Sequence, residues 1–181
     1  MKENNKVLLH ACCAVCAAHP IELLKNMGYK PIVYFFNPNI FPSEELERRL
    51  DELIVYSEKK NIELIVDMQE SSKWYDYISG LENEPEKGKR CSKCFEYRLL
   101  HTAIKALKLS ISKFTTTLTV SPHKNSKVIF EIAKDIAFKH ELEFLDIDFK
   151  KQNGFLKSMQ IAKEENFYRQ NYCGCEFSII K

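Results

Sequence analysis

Seven cysteines fall in three tight groups: Cys12, Cys13 and Cys16; Cys91 and Cys94; Cys173 and Cys175. Positions 17–90 and 95–172 hold none. The disulfide framework of an exported protein usually spreads an even number of cysteines through a short, loop-rich chain. Here the count is odd, and the gaps are long enough for whole α/β units. The fold must therefore assemble the sulfur chemistry, because these cysteines cannot staple a mini-domain. With 181 residues, 45% of them hydrophobic, the chain suits one globular domain spanning 1–181 with a real core. The 27 Lys and Arg against 25 Asp and Glu leave a net charge of +2, which neither demands nor excludes a nucleic-acid partner. Apolar runs such as Ile32 to Phe36 fall far short of the roughly 20 residues that span a bilayer, and Met1 to Lys6 lacks the apolar core of a signal peptide. A cytoplasmic protein with no membrane partner is expected.

Val7 to His10 reads as a strand ending at the first cysteines. A helical pattern through Ile21, Leu23, Leu24 and Met27 follows and stops at Gly28. Ile32 to Phe36 is a second strand, broken by the turn chemistry of Asn37-Pro38-Asn39. A long helix from about Ser43 to Lys60 then turns Leu46, Leu50, Leu53 and Ile54 inward. Ile62 to Val66 is a third strand. The polar stretch from Leu81 to Arg90 predicts an exposed loop before a helix from Cys91 to Leu107. Phe114 to Val120 and Phe144 to Ile147 predict the last strands, with helices at Val128–Phe138 and Phe155–Glu165. Strands alternating with helices at this spacing predict a Rossmann-like α/β fold, a parallel five-stranded sheet with helices on both faces. Ligands of such sheets bind outside the carboxyl ends of the strands, where strand order reverses. His10 and the first cysteines belong at that rim, with the turns at Asn37–Asn39 and Thr119–Pro122 beside them.

Cys12, Cys13 and Cys16 open a helix, where free N–H groups and the dipole favour thiolate, the form metals bind. Cys91 and Cys94 repeat the device, with Arg90 and Lys93 adding positive charge. Four thiolates suit tetrahedral zinc or an iron–sulfur cluster, a dithiol redox centre is an alternative, and buried idle thiols are the plainest reading. Cys173-Gly174-Cys175 can close into a small strained disulfide, and Asn171, Tyr172 and Gly174 form a turn that would fold the tail, about 166–181, back over the rim. His10 suits a structural role as well as a ligand or proton donor. Lys87, Lys89, Arg90, Lys93 and Arg98 form the best basic cluster for a phosphate backbone, or simply a solvated face. Trp74, Tyr75 and Tyr77, like Phe167, Tyr168 and Tyr172, can stack on a base but suit a core equally. Phosphate-loop and dinucleotide glycine fingerprints are missing, so neither ATP nor NAD chemistry is expected.

Taken together, His10-Ala11-Cys12-Cys13-x-x-Cys16, Arg90-Cys91-x-x-Cys94, the Phe36-Asn37-Pro38-Asn39-Ile40 turn and Tyr172-Cys173-Gly174-Cys175 resemble the cobalamin-independent epoxyqueuosine reductase family. The likeness covers nearly the whole chain. It implies a fold similar to the adenine nucleotide α-hydrolase, or HUP-like, group. It also implies reductive removal of the epoxide oxygen of epoxyqueuosine at the tRNA wobble position, with an unidentified electron donor as a further partner. On the matching positions it implies a [4Fe-4S] cluster on Cys12, Cys13, Cys91 and Cys94 and a redox-active pair at Cys173 and Cys175. A neighbouring mononuclear metal, expected to be iron, falls to Cys16, with His10 as a weaker candidate. The rival readings are a thiol-disulfide oxidoreductase active without metal and a tRNA-binding module stabilised by zinc.

Overall fold

The computed structural model describes residues 5–68 and 70–179. Most of the Met1–Lys6 stretch and the last two residues of the tail lie outside it. Five strands, β1 (Lys6–Ala11), β2 (Lys30–Phe35), β3 (Leu64–Val66), β4 (Lys113–Thr116) and β5 (Glu143–Phe144), alternate with six helices. These are α1 (Ala14–Asn26), α2 (Ser43–Lys59), α3 (Ser71–Tyr77), α4 (Lys89–Lys108), α5 (Ser126–Lys139) and α6 (Gly154–Glu164). Every pairing is parallel, in the order β3-β2-β1-β4-β5, so the predicted fold class holds. Parallel neighbours need crossover connections, and the helices that make them cover both faces.

The alternation of side chains along a strand explains the two-sided core. On β1, Val7, Leu9 and Ala11 pack against Ala17, Ile21 and Leu24 of α1 and Leu53 and Tyr56 of α2. Leu8 faces the opposite way, in a cluster with Trp74 of α3, Leu99 and Ala103 of α4, and Ile129 and Ala133 of α5. Buried on both sides, β1 reads as a continuous apolar run. Among the described residues no helix is long and apolar enough to cross a membrane.

Three expectations need correction. The fourth strand stops at Thr116, because its Oγ1 accepts from the Leu118 N–H and turns Thr117–Val120 into a 3-10 helix. The fifth strand is shorter than its apolar run. Past Phe144 the chain follows β4 through threonine hydroxyls, with Thr115 Oγ1 donating to Leu145 O at 2.8 Å and Thr119 Oγ1 to Ile147 O at 3.1 Å. On α2, Leu46 and Leu50 are only half-buried, whereas Glu45 and Arg49 are buried with Leu53 and Tyr56. Arg49 Nε donates to Glu45 Oε1 at 2.7 Å, and Tyr168 Oη donates to Glu45 Oε2 at 3.0 Å. A buried ion pair takes the place of the expected leucine face because the C-terminal tail lies on that side.

The start of α6 admits only glycine. A Cβ on Gly154 would stand 1.8 Å from the Phe149 carbonyl oxygen and 2.9 Å from its carbon. Gly154→Ala is expected to cost at least about 2 kcal/mol in urea unfolding under reducing conditions. An unchanged midpoint would show that the preceding loop yields freely.

Candidate functional site

β1 delivers the chain to the carboxyl edge of the sheet between β2 and β4, the point where chain order reverses. There Cys13 is extended, and its carbonyl accepts from Ala17 N at 3.1 Å to start α1. This tight entry turns three side chains together. The Sγ atoms of Cys12, Cys13 and Cys16 lie within 4.8 Å of one another, those of Cys12 and Cys13 at 3.8 Å. Pro20, inside α1, withholds the N–H that would serve the Cys16 carbonyl. The Asn37 turn lines the rim as expected, its Nδ2 donating to Ala11 O at 2.9 Å.

Cys91 and Cys94 lie one turn apart at the start of α4. Cys94 is buried in the same apolar cluster as Cys175, with Cys91 and Phe177 at its margin. The tail is held at several points. Phe41 N donates to Gly174 O at 2.8 Å, Tyr172 Oη donates to Phe41 O, and Arg49 Nη1 donates to Cys173 O at 3.3 Å. Gln170 Nε2 donates to Cys13 Sγ at 3.2 Å, linking tail and first cysteine group. All seven cysteines are free thiols.

Three thiols this close cannot all ionise. Hydrogen bonds from Cys13 and Cys16, then the positive charges of Arg98 and Lys124, hold Cys12 well below the usual thiol range despite its burial. Its neighbours answer in the opposite sense. The bond to Cys12 pushes Cys13 up to about 12, and the same contact raises Cys16 strongly. Of the three thiols, Cys12 is thus the one whose surroundings favour the thiolate. Burial pushes Cys94 up to about 11 and also raises Cys91 and Cys175. Arg49 lies within electrostatic reach of Cys12 and Cys13, and Lys124 within reach of Cys173, Cys12 and Cys16.

His10 is fully buried, with Nδ1 at 2.9 Å from Thr116 Oγ1 and Nε2 at 3.2 Å from the Phe36 carbonyl. A carbonyl only accepts, so Nε2 carries the proton and Nδ1 accepts from the threonine. Neither nitrogen keeps a lone pair for a metal in this geometry. Burial, then the nearby Arg98, lowers its pKa to about 3, and the neutral ring pins β1 to β2 and β4.

The basic cluster divides. Arg90 is buried and donates to the carbonyls of Leu81, Glu82 and Glu84, and Arg98 is buried against Asn37, leaving Lys87, Lys89 and Lys93 exposed. Trp74 belongs to the core, and Tyr168 stacks under Arg48 at 4.3 Å. Sequence reasoning missed Arg49 and Lys124 and did not separate Arg98 from its solvated neighbours. For Arg98 a signal existed, since it follows Cys94 by four and Cys91 by seven, the spacing of one helix face.

Comparison with known proteins places this arrangement in context. The profile of the family described as Epoxyqueuosine reductase QueH matches residues 7–181. Proteins named Epoxyqueuosine reductase QueH from Acinetobacter baylyi and Streptococcus pyogenes are each 36% identical, over 97% and 95% of this chain and 81% and 69% of theirs. The one from Thermotoga maritima is 33% identical over 97% of this chain and 91% of its own. Among solved structures, one titled a predicted subunit of tRNA methyltransferase from Methanocaldococcus jannaschii superposes with a TM-score of 0.60 at 12% identity, covering 92% of this chain and 93% of that one. The U34-tRNA thiolase NcsA from Methanococcus maripaludis, solved with its [4Fe-4S] cluster, gives 0.58 at 13% identity, covering 97% and 60%. At such identities these two show the shared fold alone.

The buried imidazole makes a linkage prediction. Below its ordinary pKa of 6.5 the unfolded chain binds a proton on His10 that the folded chain refuses until about pH 3. The metal-free fold should therefore lose about 2 kcal/mol between pH 7 and pH 5. His10→Gln should remove that part of the slope in urea unfolding, and an undiminished slope would contradict a buried neutral ring.

Proposed function

The chain belongs to the epoxyqueuosine reductase QueH family, an oxidoreductase family, and from that premise we propose that it reduces epoxyqueuosine at the wobble position of tRNA to queuosine. The observation that carries the reading is the convergence of three thiols within 4.8 Å at the carboxyl edge of the sheet, linked by Gln170 to a tail bearing two more. Soft thiolates select iron–sulfur clusters and zinc, so the donor set fits. In this reading Cys12, Cys13, Cys91 and Cys94 hold a [4Fe-4S] cluster, and Cys16 holds a mononuclear iron. When bound, these groups supply single electrons and a Lewis acid.

Removing the epoxide oxygen to leave an alkene consumes two electrons and two protons and releases water. Cys173 and Cys175 can supply both, since closing their S–S bond yields two electrons and two protons. An external reductant then restores the dithiol. Gly174, at φ +124°, gives the tail a backbone conformation that a side chain would strain, and a Cβ there would stand 3.1 Å from Arg49 Nη1. An anticodon loop presents its wobble base unstacked at little cost, and Lys87 and Lys89 are exposed for its phosphates, with Lys93 beside them paired to Glu96.

One observation favours a second reading. Sulfurs 3.8 Å apart match the edge of a tetrahedral site with bonds of about 2.3 Å, so Cys12, Cys13 and Cys16 can share a single zinc in a tRNA-binding module.

Anaerobic reconstitution with iron and sulfide, incubation with epoxyqueuosine-containing tRNA and nucleoside mass analysis decide between them. Brown protein and queuosine are expected, whereas a colourless zinc protein that leaves the epoxide intact would contradict the proposal. Cys16→Ser should lose only the lone metal, and loss of the whole cluster would refute that assignment. Cys173→Ala should stop multiple turnovers with a physiological donor, and sustained turnover would remove the dithiol from the reaction. Substrate binding should weaken steeply with added salt, and a flat response would indicate a free nucleoside.

A further inference from the structure

Arg98 carries a positive charge in an unusual setting. It shares one face of α4 with Cys91 and Cys94 and is only 2% exposed. A guanidinium does not deprotonate in proteins, so it remains a cation where charge is expensive unless paired. The other buried arginines also leave one nitrogen each without a partner, Arg49 Nη2 and Arg90 Nε, but Arg49 is paired with the Glu45 carboxylate and Arg90 is held by several backbone carbonyls. Arg98 has neither. Its Nη2 donates to the neutral amide oxygen of Asn37 at 2.6 Å, its Nε is buried without a partner, and among the described residues no carboxylate pairs with it.

Its position explains what it faces. Asn37 binds Arg98 with one end of its amide and the Ala11 carbonyl, next to Cys12, with the other. The guanidinium is thereby held at the join between β1 and α4. From there its field reaches Cys12 in the first group and Cys94 in the second. An unbalanced buried cation between two sets of thiolate-forming side chains suits a centre whose own charge is negative.

We propose that Arg98 is a positioning residue for charge: its uncompensated guanidinium favours the reduced, more negative form of a metal centre held by both cysteine groups, and so raises that centre's reduction potential. The inference rests on the cluster reading above. Reduction adds one electron to the centre, and in the test dithionite supplies it. Asn37 keeps the guanidinium in place and, being neutral, leaves its charge unquenched.

The test uses the reconstituted holoprotein in reductive titrations followed by electron paramagnetic resonance, with iron and sulfide counted on the same samples. At the potential where the parent is half reduced, Arg98→Gln should show a reduced-to-oxidised ratio about tenfold lower, a shift of about 59 mV for one electron. Arg98→Lys should retain most of the parent value. Asn37→Asp sets a carboxylate against the guanidinium and should shift the ratio as Arg98→Gln does, which preserves the test if the glutamine variant fails to fold. A parent midpoint in Arg98→Gln or Asn37→Asp, or a lysine variant that behaves as the glutamine one, overturns the proposal while leaving the cluster reading intact. A parent chain that takes up no iron overturns the cluster reading and the proposal together.

Discussion

Neighbouring thiolates repel one another, and the rim of this sheet is built around that repulsion. Cys12, Cys13 and Cys16 are pressed within 4.8 Å by the entry into α1, and at that distance the thiolate is favoured at Cys12 and opposed at Cys13 and Cys16. Full ionisation requires positive charge, which metal binding supplies while releasing the remaining protons. Arg49 of α2, Arg98 of α4 and Lys124 of the turn before α5 already stand within electrostatic reach of the group. The buried Glu45 to Arg49 pair on α2, otherwise hard to explain on a helix with a leucine pattern, follows from the same need. It brings a guanidinium to the thiols and to the tail's Cys173 carbonyl.

The elements with regular periodicity were legible in the sequence. The strand to His10, the helix ended by Gly28 and the long α2 follow from apolar spacing and breakers, and their alternation dictates a parallel sheet. What was not legible depends on side chains acting as backbone. Thr116 ends β4 by accepting from Leu118 N, and beyond β5 the Thr115 and Thr119 hydroxyls carry the pairing on after a last backbone bond from Leu145 N to Phe114 O. A run of threonines and β-branched residues reads as strand whichever of these happens. The placement of the first cysteine group at the rim was readable from the strand–turn–helix order. Arg98 was grouped with solvated lysines because charge runs seldom reveal which member points inward.

Fold alone says little about chemistry here. A protein described as a predicted subunit of tRNA methyltransferase and a tRNA thiolase share the architecture at 12% and 13% identity, and function resides in what a chain grafts onto its fold. In this chain the graft is sulfur, with Cys12, Cys13 and Cys16 gathered at the carboxyl edge of the sheet and Cys91 and Cys94 at the start of α4. The tail completes it, since Gln170 reaches Cys13 while Cys175 packs in the cluster of Cys94. The tail therefore lies against both stretches that carry the other cysteines.

The central claim is that these distant stretches grip one inorganic centre. Anomalous diffraction at the iron edge, from crystals grown anaerobically after reconstitution, tests it most directly. The account predicts a compact iron peak bonded to sulfur from both Cys12–Cys13 and Cys91–Cys94. Iron bound by Cys12, Cys13 and Cys16 alone, with Cys91 and Cys94 left as thiols, would contradict it.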